Sequence, residues 1–277
     1  MIIKLKKFLI YFKRLIFKEH ILEDENSIKK PLADKSTYLK IFKEASNFQD
    51  NSILNLEKEF GYKLEKKWID ELALHTQVCI KKSKINYQHG RALYTTLRDY
   101  INEYKKNFSQ KINIVETGTA RGFSAICMSK ALNDSKNIKG EIHTIDLLPV
   151  NKAMYWNIID DNEKKKTRRE LLEKWPNELK NINFIEGKTK NVLRHLKIER
   201  VNYAFLDAQH DYESVIEEFN FIKQKQKKGD IIFFDDVTKI KYPGVFKALK
   251  EIDRESLYSI KYFGETKERS YALAKKK

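Results

Sequence analysis

Cysteine, proline and glycine are all scarce in this chain of 277 residues, which holds two, four and nine of them respectively. Cys79 and Cys127 show no C-x-x-C spacing. That excludes a zinc ribbon or a disulfide framework and points to a reducing, cytoplasmic setting. So few prolines and glycines exclude collagen-like and low-complexity classes. Long apolar runs are also missing: nothing approaches the roughly 20 residues that span a bilayer. Near the N-terminus the longest run, Phe8 to Phe12, is too short for the core of a signal peptide. Acidic charge is in deficit, with 39 Asp and Glu against 55 Lys and Arg, a balance of +16. Such an excess fits either an anionic partner, nucleic acid or membrane, or lysines spread evenly over a surface. What the chain does have is 41% hydrophobic residues, 16 Phe and 14 Tyr, too many for a disordered polymer.

Met1 to Lys18 place apolar residues at 2, 5, 9, 12 and 16 with lysines and Arg14 between them. This pattern predicts a basic amphipathic helix over 1–20. It suits the anionic inner face of a membrane, giving a cytoplasmic protein peripheral on that face. Docking on the protein's own core or on a second subunit of a homo-oligomer is the alternative. Residues 21–110 then read as a helical extension, with helices at Asp34–Ala45, Trp68–Lys81 and Ala92–Lys105. His75 and His89 have no acid or cysteine at ligand spacing there, so they are read as structural.

From Lys111 short apolar runs alternate with helical stretches, the pattern of a parallel α/β sheet. Strands are expected at Ile112–Glu116, Glu141–Asp146, Asn183–Glu186, Val201–Asp207 and Asp230–Asp235. Helices are expected at Phe123–Leu132, Asn191–Leu196, Tyr212–Lys227 and Pro243–Glu255. Tyr258–Phe263 and Ser270–Ala274 form a terminal hairpin around Gly264–Glu268. The sum is a Rossmann-like, doubly wound, mostly parallel seven-stranded sheet over 111–277, with a C-terminal antiparallel hairpin and a helical N-terminal extension. An insertion within 150–180, from Lys152 to Lys180, carries a charged helix near Glu163–Trp175.

The first strand runs into Glu116-Thr-Gly118-Thr119-Ala120-Arg-Gly122-Phe-Ser124 and then a helix. Glycines let the backbone approach a ligand, and amides at a helix start bind anions. Asp146 ends the next strand 24 residues after Gly122, where a carboxylate can hold ribose hydroxyls. Asp207, Asp235 and Asp236 each follow an apolar strand, so they emerge at the carboxyl edge where open α/β sheets bind ligands. Carboxylates gathered there repel one another unless protonated or bridged by a cation, and hard oxygen ligands favour Mg²⁺.

The pattern E-x-G-x-A-x-G-F-S followed by T-I-D resembles the S-adenosylmethionine site of class I methyltransferases. Ala120, in place of the usual middle glycine, resembles the catechol and macrocin O-methyltransferase branches. By that resemblance Gly118, Thr119, Ala120, Gly122 and Ser124 surround the cofactor, Glu116 anchors the loop and Asp146 takes the ribose. Glu186-Gly187-Lys188-Thr189 resembles the loop beside the adenine. In the metal-dependent members an acid after the fourth strand and an acidic pair after the fifth hold the metal, which implies Asp207, Asp235 and Asp236. A base lies three residues beyond the first acid, the place of His210. A histidine titrating near neutrality suits removal of a hydroxyl proton. The resemblance covers about 86–277 and implies methyl transfer to a hydroxyl of a sugar, glycan or secondary metabolite. A nucleic-acid methyltransferase is the weaker reading, because all four prolines are isolated and no Asn/Asp-Pro-Pro-aromatic motif occurs. An inactive membrane-surface module with the same fold is the non-enzymatic alternative. Tyr155, Trp156 and Trp175 of the insertion line an acceptor pocket or simply pack.

Overall fold

The computed structural model describes residues 29–105, 111–264 and 269–277. The expected helix of residues 1–20 and most of the 264–268 turn lie outside them. Four helices come first: α1 (Lys35–Ser46), α2 (Asn51–Phe60), α3 (Lys66–Thr76) and α4 (Gln88–Lys105). Helix α2 was not anticipated, although both of its stop signals are in the sequence. Asp50 caps it by accepting the amides of Ser52 and Ile53, and Gly61 closes it at φ 75°. Helix α3 ends five residues before the expected Lys81. The amides of Gln77 and Val78 both fold back on the Ala73 carbonyl, and Val78-Cys79-Ile80 leave the helix.

The sheet follows as β1 (Ile112–Thr117), α5 (Phe123–Asn133), β2 (Gly140–Asp146), two short helices α6 (Arg168–Leu171) and α7 (Pro176–Leu179), β3 (Ile182–Glu186), α8 (Thr189–His195), β4 (Tyr203–Leu206), α9 (Tyr212–Lys225), β5 (Ile231–Phe234), α10 (Pro243–Arg254), β6 (Tyr258–Phe263) and β7 (Tyr271–Lys276). Strand order is β3-β2-β1-β4-β5-β7-β6, with β7 antiparallel to both of its neighbours and every other pairing parallel. This is the expected doubly wound sheet with its terminal hairpin. The insertion departs from expectation. In place of one charged helix it holds a 3₁₀ turn at Ile159–Asn162 and the short α6 and α7. Thr167 and Glu170 close a capping box that starts α6, and Pro176 starts α7 afresh.

Strands β4 and β5 are buried along their whole length, so polarity does not alternate along them. Their side chains still divide by face. Tyr203, Phe205, Ile231 and Phe233 meet α4, α5 and the earlier helices, whereas Ala204, Leu206, Ile232 and Phe234 meet α9 and α10. Ile53, Leu56, Ile69 and Leu72 from α2 and α3 share the first of these cores. The N-terminal helices therefore form part of one layer over the sheet. The chain winds from β1 outward through β2 to β3, then returns to begin β4 on the other side of β1. That reversal opens a crevice between the carboxyl ends of β1 and β4.

Candidate functional site

At this crevice the turn after β1 touches the end of β4. Gly118 has φ +89°, and a Cβ added there would lie 2.1 Å from the Asp207 carbonyl oxygen. Two independent reasons thus require glycine: the left-handed backbone and the contact with β4. Ala120, where the resemblance expects glycine, also takes a left-handed φ of 44°, and Gly122 follows at 87°. Three residues of left-handed backbone within five positions turn the chain sharply into α5.

Beneath the turn lies a fully buried carboxyl. Glu116 accepts hydrogen bonds from the hydroxyls of Ser124 and Thr144, and the Thr144 hydroxyl meets that of Thr119 at 2.5 Å. Burial pushes Glu116 up to about 7, against the pull of those two donors. Thr119 and Ser124 therefore commit their hydroxyls to the loop's foundation, leaving backbone to face the crevice. Asp146 stands at the end of β2, half-buried. Its Oδ2 accepts the Ala120 amide at 2.6 Å and its Oδ1 the Leu148 amide at 2.7 Å, and each oxygen keeps a lone pair. Next to it Leu147 is 59% exposed. The Gly187 amide donates to the Asp146 carbonyl at 2.8 Å, so the loop carrying Thr189, the first residue of α8, abuts the same edge. A carboxylate beside an exposed apolar side chain and a close-approach turn fits an adenosyl group: hydroxyls on Asp146, a flat ring on Leu147.

Arg168, in the insertion, was not anticipated. It is fully buried, and its Nε donates to the Ala120 carbonyl at 2.9 Å while its Nη2 donates to that of Leu148 at 3.3 Å. It thereby ties the turn after β1 to the loop after β2, the two walls of the crevice. Its Nη1 has no partner among the described residues. Trp156 and Phe184 flank the guanidinium at 5.6 and 5.7 Å. Trp156 itself is buried, with Nε1 donating to the Lys166 carbonyl, and Trp175 is buried in the core, so both are packing residues. No sequence motif marks Arg168, because its partners are backbone carbonyls 20 and 48 positions away.

The acids at the ends of β4 and β5 converge as expected, with one division. Ligand atoms of Asp207, His210 and Asp236 all lie within 4.8 Å of one another, a span that one cation can bridge. The Nε2 of His210 lies 3.4 Å from Asp207 Oδ1 and 3.3 Å from Asp236 Oδ2. Asp236 reaches this position through a left-handed φ of 55°, which aspartate tolerates better than most residues. Burial opposes protonation of His210, but the Asp207 hydrogen bond and the charges of Asp207, Asp236 and Asp235 outweigh it and raise its pKa. Tyr242 packs on the imidazole with ring centres 4.2 Å apart.

Asp235 is nearly fully buried and turns to a different partner. Arg269, just before β7, places Nη2 3.3 Å from Asp235 Oδ2 and Nε 3.5 Å from Asp236 Oδ1, while its Nη1 donates to the Asn86 carbonyl at 2.6 Å. Burial works against this guanidinium, but Asp235, Tyr271, Asp236 and Asp207 hold it well above its ordinary range. A second buried acid, Glu218 of α9, accepts from the Thr117 hydroxyl at 2.8 Å, and burial pushes it up to about 8. Neither Arg269 nor Glu218 carries a local sequence signal, since each meets the site only through the fold. His75, expected to lack an acid, finds Asp160 of the insertion at 2.5 Å and pins α3 to it.

Residues 115–237 match the family model described as a methyltransferase domain. The order of the sheet and the glycine turn after β1 agree with that match. Among solved structures, cofactor-bound Rv0187 from MTB is similar at a TM-score of 0.53 and 15% identity, over 86% of this chain and 95% of that one. The O-methyltransferase TomG from Streptomyces achromogenes, involved in tomaymycin synthesis and solved with SAM, gives 0.51 and 15% over 88% and 99%. A putative O-methyltransferase from Klebsiella pneumoniae gives 0.51 and 16% over 87% and 96%. At such identities the likeness is one of fold. No curated protein matches the sequence. No helix among the described residues is long and apolar enough to cross a membrane.

Proposed function

We propose that this chain transfers a methyl group from S-adenosylmethionine to a hydroxyl of a small-molecule or glycan acceptor. The observation that carries the reading is the Asp207–His210–Asp236 cluster set against the turn after β1, so close that Gly118 admits no side chain beside Asp207. TomG, an O-methyltransferase, and the putative O-methyltransferase from Klebsiella pneumoniae support the same chemistry. Gly118, Ala120 and Gly122 would supply backbone to the cofactor, Asp146 its ribose contact, and Leu147 with the Gly187–Thr189 loop the adenine edge. Asp207 and Asp236 would hold a divalent cation, Mg²⁺ or similar, with Asp235 behind them on Arg269; when bound, such an ion lowers the pKa of a hydroxyl beside it.

The residues then divide the work. The hydroxyl oxygen attacks the methyl carbon in line, the carbon–sulfur bond breaks, and a neutral thioether leaves. Neutral His210, packed on Tyr242, accepts the hydroxyl proton, and Asp207 and Asp236, 3.4 and 3.3 Å from its Nε2, stabilise the imidazolium that forms. Residues 1–18, with their lysines and apolar stripe, suit attachment to an anionic membrane surface, a cytoplasmic protein at the inner face. A liposome sedimentation assay with and without that segment tests this last point.

Calorimetric titration with S-adenosylhomocysteine, with Mg²⁺ present, tests the cofactor half; saturable one-to-one binding is expected. His210→Ala should lower turnover by roughly 10²-fold or more with cofactor binding intact. Asp207→Ala should abolish turnover. Full activity in Asp207→Ala would remove the cation from the scheme, and a His210→Ala effect confined to acceptor affinity would reassign His210.

A further inference from the structure

Helix α4 begins beside the turn after β1. A Cβ added at Gly90, in its first turn, would lie 2.6 Å from the Phe123 ring and 2.8 Å from Cys127 Sγ, so the opening turns of α4 and α5 touch. His89 occupies that contact. Its ring centre is 4.9 Å from that of Phe123, the residue after Gly122, and 6.4 Å from that of Phe205, which pairs with Glu116 in the sheet and precedes Asp207 by two positions. The imidazole therefore lies under the crevice, between the glycine turn and the end of β4. Only 3% of His89 is exposed, and its Nδ1 has no hydrogen-bond partner among the described residues. A buried polar atom among aromatic rings costs stability unless something meets it. Burial first, then the charges of Arg269 and Lys81, hold the pKa of His89 well below its ordinary range. The ring is therefore neutral and carries one N–H.

The same corner holds a helix start without a cap. Helix α5 runs for 11 residues from Phe123, and no side chain among the described residues caps its first turn, where Gly122 stands. Amides at the start of such a helix attract an anion. Three polar side chains of the turn are already engaged: Thr119 with Thr144, Ser124 with Glu116, and Arg121 through Nε with the Trp156 carbonyl. That leaves the uncapped amides and the imidazole of His89 at one corner of the crevice. The opposite end, at Asp146 and Leu147, suits the adenosyl group, so a cofactor laid along the crevice brings its amino-acid end to this corner.

We infer that His89 is a cofactor-binding residue, donating from Nδ1 to the carboxylate of S-adenosylmethionine at the start of α5. The inference rests on the methyl-transfer reading and adds to it the side chain that recognises the amino-acid end. Anchored by its ribose on Asp146 and by its carboxylate on His89, the cofactor is held at both ends.

The test compares two ligands that differ in that end. S-adenosylhomocysteine and 5′-methylthioadenosine, which lacks the amino-acid carbons and their carboxylate, are titrated calorimetrically into the full chain with MgCl₂ present. His89→Phe keeps a ring between Phe123 and Phe205 but removes both nitrogens. Its affinity for S-adenosylhomocysteine should fall about tenfold or more, as for one charge-assisted hydrogen bond lost. Its affinity for 5′-methylthioadenosine should stay within about twofold of wild type, which shows that the crevice is intact. An unchanged S-adenosylhomocysteine Kd, or equal losses for the two ligands, would overturn the inference. A measurement on the wild type needs no variant to fold: the carboxamide of S-adenosylhomocysteine should bind about tenfold or more weakly than the parent acid, and equal affinities would also overturn it. If neither S-adenosylhomocysteine nor 5′-methylthioadenosine binds the wild type, the methyl-transfer reading itself falls, a result distinct from failure of the His89 contact.

Discussion

A single methyl group at Gly118 should disable the crevice. The Cβ of Gly118→Ala would lie 2.1 Å from the Asp207 carbonyl oxygen, about 0.9 Å inside the 3.0 Å below which real Cβ contacts essentially never fall. The obstacle is backbone at the end of β4, so no side chain can swing away. Alanine at φ +89° adds a left-handed cost of about 1–2 kcal/mol, and forcing the strand ends apart adds about 1–3 kcal/mol. Together these predict a loss of about 2–5 kcal/mol, equivalent to roughly 5–15 °C in Tm for a domain of this size. Because the displaced group is Asp207, cofactor affinity and turnover should fall together. Differential scanning calorimetry and S-adenosylhomocysteine titration on the same preparation read both quantities. A Tm within about 2 °C of wild type with unaltered cofactor Kd would refute the argument that β1 and β4 meet at this residue.

Other perturbations probe the remaining supports. Glu116 keeps its proton up to about pH 7 in the folded chain and releases it near 4.5 when unfolded. The stability it confers is therefore fully present below about pH 4.5 and is lost as pH rises to 7, about 3 kcal/mol in all. Glu116→Gln should flatten that slope in denaturant melts at pH 5 and pH 8, and an unaltered slope would show that Glu116 titrates normally. Arg168→Met removes both ties between the crevice walls, so the S-adenosylhomocysteine Kd should rise about tenfold, one charge-assisted bond's worth; an unchanged Kd would limit Arg168 to packing the insertion. Asn157→Ala deletes both bonds to Ile80 and the one from the Tyr38 hydroxyl, costing about 2–4 kcal/mol. It should also open Lys81, Lys82 and Lys84 to trypsin, and continued resistance there would mean that the loop is held by other contacts.

What the amino-acid sequence determined by itself is the local grammar. Apolar runs alternating with helical stretches specify the β–α succession, because a strand buried on both faces must be apolar along its length. The spacing of Glu116, Gly118 and Gly122 specifies the turn, because only certain residues accept left-handed backbone. Asp146, Asp207, Asp235, Asp236 and His210 were legible for the same reason: each directly follows a strand, so the strand itself delivers it to the carboxyl edge. The start of α2 at Asp50 and its end at Gly61 are equally local, an N-cap acid and a left-handed glycine.

Tertiary structure alone decided which acids act together. Asp235 and Asp236 are adjacent in sequence, yet the left-handed turn at Asp236 sends one carboxylate to His210 while Arg269 takes the other. Arg269, Arg168, Glu218 and the Asn157 clamp meet their partners across separations of 20 to 183 residues, with no repeating spacing to betray them. Side-chain periodicity records which face of an element is buried, but not which distant chain arrives to bury it.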